Sequence, residues 1–243
     1  MKNTPKTTLG LRHIVLAVAA FALAAPAATV GASPADWFAG NKVQAGTGAI
    51  KMQNRALAAF NGVSLSLPAN VELRIGTLEA ISIETDDNLL PLIETVIEKG
   101  TLQIRPVKRN MSLKPTTMRI VVQAKSVELL ALGGSGAIRA DALRGRKMDF
   151  DLGGSGSIDV KRIDADSLAV ALGGSGNMKV GGGSARSLSL SIGGSGDVDL
   201  GHVATDRASV SVAGSGTATV WAKQALDATI AGSGDVNYHG DPQ

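Results

Sequence analysis

From about residue 128 onward, apolar and polar positions alternate in short runs that recur at a fixed interval. Each run is centred on Gly-Ser-Gly, with serines at 135, 155, 175, 195, 215 and 233, so the intervals are 20, 20, 20, 20 and 18 residues. Three residues before the serine stand Leu132, Leu152, Leu172, Ile192, Val212 and Ile230, and five before stand Leu130, Phe150, Val170, Leu190, Val210 and Ala228. Three after stand Ile138, Ile158, Met178, Val198, Ala218 and Val236, and five after stand Ala140, Val160, Val180, Leu200, Val220 and Tyr238. Between them lie Asp151, Ser191, Ser211 and Thr229 on one side, and Arg139, Asp159, Lys179, Asp199, Thr219 and Asn237 on the other. A period of two is that of a strand with one buried and one solvated face.

Two short strands in 20 residues cannot bury a core alone. Stacked repeats can, because strands spaced about 4.8 Å apart align equivalent apolar residues into interior ladders. The pattern predicts an all-β fold, a parallel β-solenoid (β-helix-like) built from 20-residue Gly-Ser-Gly coils over 126–238. Gly134, Gly136 and their counterparts are expected to point inward, where a corner leaves no room for a side chain and Gly permits the backbone angles. The serines are expected outside as a hydroxyl column. Gly133, Gly153, Gly173 and Gly193 precede four of these corners, but Ala213 and Ala231 take that place in the last two. Ala142–Lys147 and Gly181–Arg186 read as loops or a turn with a third short strand.

Upstream, 56–125 repeats less clearly. Alternation and β-branched content predict strands at 63–67, 71–75, 80–84, 101–105 and 118–123. The stretch 87–98 (DNLLPLIETVIE) predicts one short helix, capped by Asp86 or Asp87, with Pro91 in its first turn and Lys99-Gly100 as its stop. The segment 105–115, with Arg105, Lys108, Arg109 and Lys114, reads as a solvated basic loop. Residues 33–55 read as a leader or cap, 56–238 as the solenoid domain and 239–243 as a tail.

The N-terminus reads as a secretory signal peptide, 1–32. Lys2, Lys6 and Arg12 precede a 12-residue apolar run, Ile14 to Ala25, too short for a membrane span of about 20 residues. Small residues follow, and cleavage is expected near 27 or 32. A soluble periplasmic or secreted protein, not inserted in the membrane after cleavage, is the expectation. The basic balance of the chain resides in this leader. Removing its three basic residues from 24 leaves 21, against 21 acidic residues, so no basic patch for nucleic acid is expected. The chain has no cysteine, which excludes disulfides, thiolate metal sites and a cysteine nucleophile.

The upstream residues resemble a known family. Val63–Arg74 (VSLSLPANVELR), Ile81-Ser82-Ile83-Glu84, then Asp87 to Thr95 (DNLLPLIET) and Gly100 to Ile104 (GTLQI), followed by the Gly-Ser-Gly repeats, are similar to the DUF2807 family, the GIN domain of auto-transporter adhesin heads. The resemblance covers roughly 40–238. It implies a secreted, adhesin-like β-solenoid surface module without established catalytic residues. Only five residues follow Tyr238, so no membrane barrel, coiled-coil stalk or wall anchor is expected after the repeats.

Catalytic, cofactor-binding and metal-ligating residues are all predicted as none. A serine nucleophile needs a base; His202 and His239 are the histidines beyond the leader, and repetition accounts for every serine without them. The segment Gly193–Asp199 is similar to a calcium nonapeptide, but the position that carries Asp in that repeat is apolar in all six coils here. Asp159, Asp197, Asp199 and Asp235 are expected to face outward. Polysaccharide sites on β-helices need paired carboxylates and aromatic platforms. Of Trp37, Phe38, Phe60, Phe150, Trp221 and Tyr238, Phe150 and Tyr238 fall on the interior ladders, and Trp221 follows an inward position.

The expected function is a non-enzymatic, adhesin-like interaction module of the bacterial envelope. The alternatives are an envelope polysaccharide-binding or polysaccharide-processing β-helix protein, or a purely structural scaffold. Cofactors are none; the partner is an unnamed envelope, glycan or protein surface. The open last coil is expected to permit a homo-oligomer.

Overall fold

The computed structural model describes residues 42–243; the leader expected at 1–32, together with Trp37 and Phe38, lies outside them. β1 (Lys42–Ala45) and β2 (Ile50–Ala56) precede β3 (Gly62–Leu65) and β4 (Asn70–Ile75), the first coil in chain order. β5 (Ala80–Asp86), a single 3-10 turn at Leu90–Leu92, β6 (Ile93–Glu98), β7 (Thr101–Pro106), β8 (Met111–Lys114) and β9 (Met118–Ala124) follow. The repeats then give β10 (Leu129–Leu132), β11 (Ala137–Leu152), β12 (Ser157–Leu172), β13 (Asn177–Val180), β14 (Gly183–Ile192), β15 (Asp197–Gly214), β16 (Thr217–Gly232) and β17 (Asp235–His239).

The strands stack in parallel, and the register follows the repeat. Leu132 pairs with Leu152, Leu152 with Leu172, Leu172 with Ile192, Ile192 with Val212 and Val212 with Ile230. The ladder continues upstream, where the repeat is not visible in composition: Leu132 pairs with Leu65, and Leu65 with Ile104. A second ladder runs Ile120, Val71, Ile138, Ile158, Met178, Val198, Ala218 and Val236. Both have eight rungs, but not in chain order. The coil of β7 and β9 lies beneath that of β3 and β4, although it comes later in the sequence.

A third side closes each coil. Ala142–Lys147 is not a loop: β11 runs through it, with Leu143 over Ile163 and Met148 over Leu168. Leu168 pairs in turn with Leu188, and Leu188 with Ala208. Only Gly181 and Gly182 form a turn before β14 begins. The 18-residue interval is absorbed as register shifts between β15 and β16, where Asp199 pairs with Thr219 but Ala204 with Trp221.

Of the two reasons expected for the corner glycines, lack of room holds and special backbone angles do not. A Cβ on Gly154, Gly174 or Gly194 would overlap the carbonyl oxygen of the glycine one rung away, respectively Gly134, Gly154 and Gly174. Of the corner glycines only Gly232 has a positive φ, 136°. Rung-to-rung approach, not backbone freedom, selects glycine there. The preceding position is open: a Cβ on Gly153 or Gly173 meets nothing within 4 Å, which is why alanine serves at 213 and 231.

The helix expected over 87–98 is replaced by the 3-10 turn and by β6, antiparallel to β7. Ile93, Thr95, Val96 and Ile97 are β-branched and suit a pleated surface. Lys99-Gly100, read as a helix stop, is a two-residue hairpin loop with φ of 51° and 79°, positive at both central residues as a type I′ turn requires. Part of the basic loop is also strand, since β8 pairs with β1.

The two ends of the stack differ. At the β7/β9 end, antiparallel strands take over: β6 lies against β7, β5 against β9 and β2 against β5. β2 opposes Arg55 to Ile81 and Gln53 to Ile83, so polar side chains share the face of the buried isoleucines. Arg55 donates to the carbonyls of Ile93 (3.0 Å) and Leu90 (3.2 Å) and to the Thr95 hydroxyl (2.9 Å), closing that end of the core. At the other end nothing among the described residues covers the last rung. Ile230 and Tyr238 are 47% and 56% exposed, whereas the five preceding rungs of their ladders are buried. Tyr238, expected inside, therefore stands in solvent.

Leu172, 1% exposed, and Lys179, on the wet face, give a paired test. Leu172→Asp is expected to abolish cooperative unfolding, because it buries an unpaired charge; Lys179→Ser should cost no more than about 1 kcal/mol. The glycines give a second test. Gly173→Ala should be neutral or stabilising by about 0.4–1 kcal/mol, and Gly174→Ala markedly destabilising, as read by denaturant midpoints.

Candidate display surface

The three outer faces carry different chemistry. On the face after each serine, one column reads Glu72, Arg139, Asp159, Lys179, Asp199 in register, alternating in sign at every rung. Lys179 lies 3.6 Å from Asp199, and Lys161 is paired with Asp141. On the third side Arg144 reaches Asp164 (3.5 Å) and Arg186 reaches Asp166 (3.2 Å). These pairs sit 20 residues apart, so the repeat interval applied to charged positions would have revealed them. Each has at least one partner in solvent and adds little to stability. Their larger effect is on register, since a slipped rung opposes like charges.

The remaining face is uncharged across its middle rungs and carries Asp149, Asp151 and Asp227 toward its ends. Its outward columns read Asp151, Ala171, Ser191, Ser211, Thr229 and Asp149, Ala169, Ser189, Ser209, Asp227. All six corner serines are exposed beside it, as expected. A flat strip of hydroxyls and methyls results, with a shallow depression of about 300 Å³ over Phe150 and Val170.

The residues weighed for chemistry are not assembled into a site. No serine hydroxyl bonds a histidine among the described residues; His202 and His239 are exposed, and His239 pairs in register with Trp221. Lys179 stands between Asp159 and Asp199. Asp197 accepts from the Thr217 amide (3.1 Å) and Asp199 from the Gly201 amide (3.1 Å). Asp164 and Asp166 line a groove of about 390 Å³ on the third side, floored by Ala165 and Ala185, but Arg162 binds Asp164 at 2.9 Å and Arg186 binds Asp166. These carboxylates are committed to ion pairs. Phe60 and Phe150 are buried, and Trp221 is 37% exposed.

A buried polar anchor lies at the covered end, at Asp86, which the sequence offers only as a cap for a helix that does not form. Asp86 is fully buried and accepts from the amides of Gly48 (2.6 Å) and Thr116 (2.8 Å). Burial would raise its pKa, but those amide bonds outweigh it and hold the carboxyl below the usual carboxylate range. A Cβ on Gly46 would collide with that carboxylate. The Asp164 carboxyl is likewise held low, chiefly by Arg162, and Glu98 by Arg105.

The model of one protein family, described as "Putative auto-transporter adhesin, head GIN domain", matches residues 59–242. The chain belongs to the DUF2807 family. This GIN domain is similar in structure to a "putative lipid binding protein" from Parabacteroides distasonis, with 27% identity and a TM-score of 0.70 over 83% of this chain and 94% of that one. It is also similar to a "putative adhesin" from Bacteroides fragilis (19% identity, TM-score 0.73, 82% of this chain and 96% of that one). A third, a "putative adhesin" from Parabacteroides merdae, has 19% identity and a TM-score of 0.63 over 83% and 93%. The latter two share the fold. No curated protein matches the chain.

Asp86 sets an acid limit on the GIN domain. Its folded pKa is depressed, so its contribution is present above the unfolded value near 3.9 and is lost as pH falls through the folded value. Asp86→Asn is expected to be less stable than the parent at neutral pH and to approach it as pH falls through the folded value, as read by unfolding midpoints at neutral and acid pH.

Proposed function

We propose that this GIN domain is an exported, non-catalytic, adhesin-like module of the bacterial envelope, which presents its hydroxyl-rich face to an extended partner. The observation that carries the reading is the face from Asp151 to Thr229 with its column of corner serines. Small uncharged side chains repeat there on the middle rungs, whereas the neighbouring faces carry ion pairs such as Lys179–Asp199 and Arg186–Asp166. Such a face binds by repetition along its length and has no single pocket to fill. The apolar run Ile14–Ala25 with its small-residue sites supports export into the periplasm or beyond. A polysaccharide of the envelope fits the hydroxyl face by hydrogen bonding. The relative described as lipid binding favours a second reading, an acyl-bearing envelope component.

The test has two arms. Cells expressing the full chain should yield it in the periplasm or medium, with an intact mass that places cleavage near 27 or 32, and deletion of 2–32 should hold it in the cytosol. The exported protein should sediment with envelope fragments, and Ser191→Lys with Ser211→Lys should weaken this at least several-fold, while Lys179→Ser should not. Extraction of lipid before binding separates the two readings. Cytosolic retention of the full chain, or turnover of the polysaccharide, would overturn the proposal.

A further inference from the structure

The uncovered rung has the chemistry of an interface, and its strands are self-complementary. β17 pairs with β16 on one side and, among the described residues, has no strand on the other. Its sequence, Asp235-Val236-Asn237-Tyr238-His239, reads coherently against itself in reverse. About Asn237 it sets Asp235 opposite His239, a carboxylate against an imidazole, and Val236 opposite Tyr238, an apolar residue against an aromatic one. Directly opposite residues of an antiparallel pair share a face, so the second pair falls inside and the first outside. Beside it, Leu226, Ala228 and Ile230 of β16 occupy inward positions, and no rung of the described residues lies above them.

We propose that two copies of this chain join end to end through this rung, about a twofold axis passing Asn237, with β17 antiparallel to β17 of the second copy. The occupant is a second copy because what is presented is the cross-section of a coil: unpaired backbone groups around exposed ladder residues. The opposite end of the same chain cannot serve. There β2 turns Gln53 and Arg55 toward the core and Arg55 is bonded across the end, and inward polar side chains of this kind block edge pairing. The contact is therefore isologous and closes at two copies, where a head-to-tail contact would propagate as a fibre. It is independent of what the outer faces bind.

Sedimentation and light scattering of the exported protein should give twice the chain mass. Ile230→Lys and Tyr238→Lys should each give one chain mass while retaining the parent's circular dichroism. The chain has no cysteine, so one introduced thiol reports cleanly. Opposed antiparallel residues lie about 4.5–5.5 Å apart at Cα, within disulfide range. Asn237→Cys should therefore oxidise to a covalent dimer, and Ser175→Cys on the side should not. Asn237 is exposed and polar, so this readout stands even where a lysine variant fails to fold. A monomeric parent at its highest soluble concentration, polymers in place of dimers, dimers unaffected by both lysines, or equal cross-linking at 175 and 237 would overturn the proposal.

Discussion

The spacing between hydrogen-bonded strands governs this molecule. Each coil must lie about 4.8 Å from the next for backbone groups to pair, and at the corners the backbone of one rung then lies where the Cβ of its neighbour would be. Gly154, Gly174 and Gly194 stand over the carbonyls of Gly134, Gly154 and Gly174 for this reason. The same spacing presses Leu132, Leu152, Leu172 and Ile192 into one ladder. Glycine corners and apolar columns are thus two results of one distance, and the Gly-Ser-Gly signature follows from the packing.

This accounts for what was legible from sequence. A periodic constraint leaves a periodic record, so fold class, ladder membership and the outward serines could all be read by adding 20. The third side obeys the same interval, and of the two readings open there, loops or a turn with a third short strand, the strand holds. Leu143 over Ile163, and Met148 over Leu168 over Leu188, were there to be read. So were the charge columns.

What resisted reading is where the constraint changes from parallel stacking to antiparallel pairing. DNLLPLIETVIE has helical spacing of apolar residues, but β6 is held by its hairpin with β7, by Arg105 on Glu94 (2.7 Å) and Glu98 (2.6 Å), and by the Lys99-Gly100 turn. Those contacts form between residues whose pairing no fixed interval announces. The order of the first coils, with β7 and β9 beneath β3 and β4, is hidden for the same reason. Asp86 serves as an anchor only once Gly48 and Thr116 are brought to it.

The display surface inherits its character from this division. A side chain on a stacked strand has near-copies above and below it, so a charge is best placed against its opposite, and the chain does so in the Glu72–Asp199 column. That leaves little net field on the charged faces for a partner to read. The middle rungs of the Ser/Ala face carry no charges to pair: the corner serines beside them stand on successive rungs, and a ligand periodic along the stack meets the same hydroxyl at each step. Weak contacts of this kind gain strength only by number, which makes the length of the stack, and hence the integrity of every ladder beneath it, the quantity on which recognition depends.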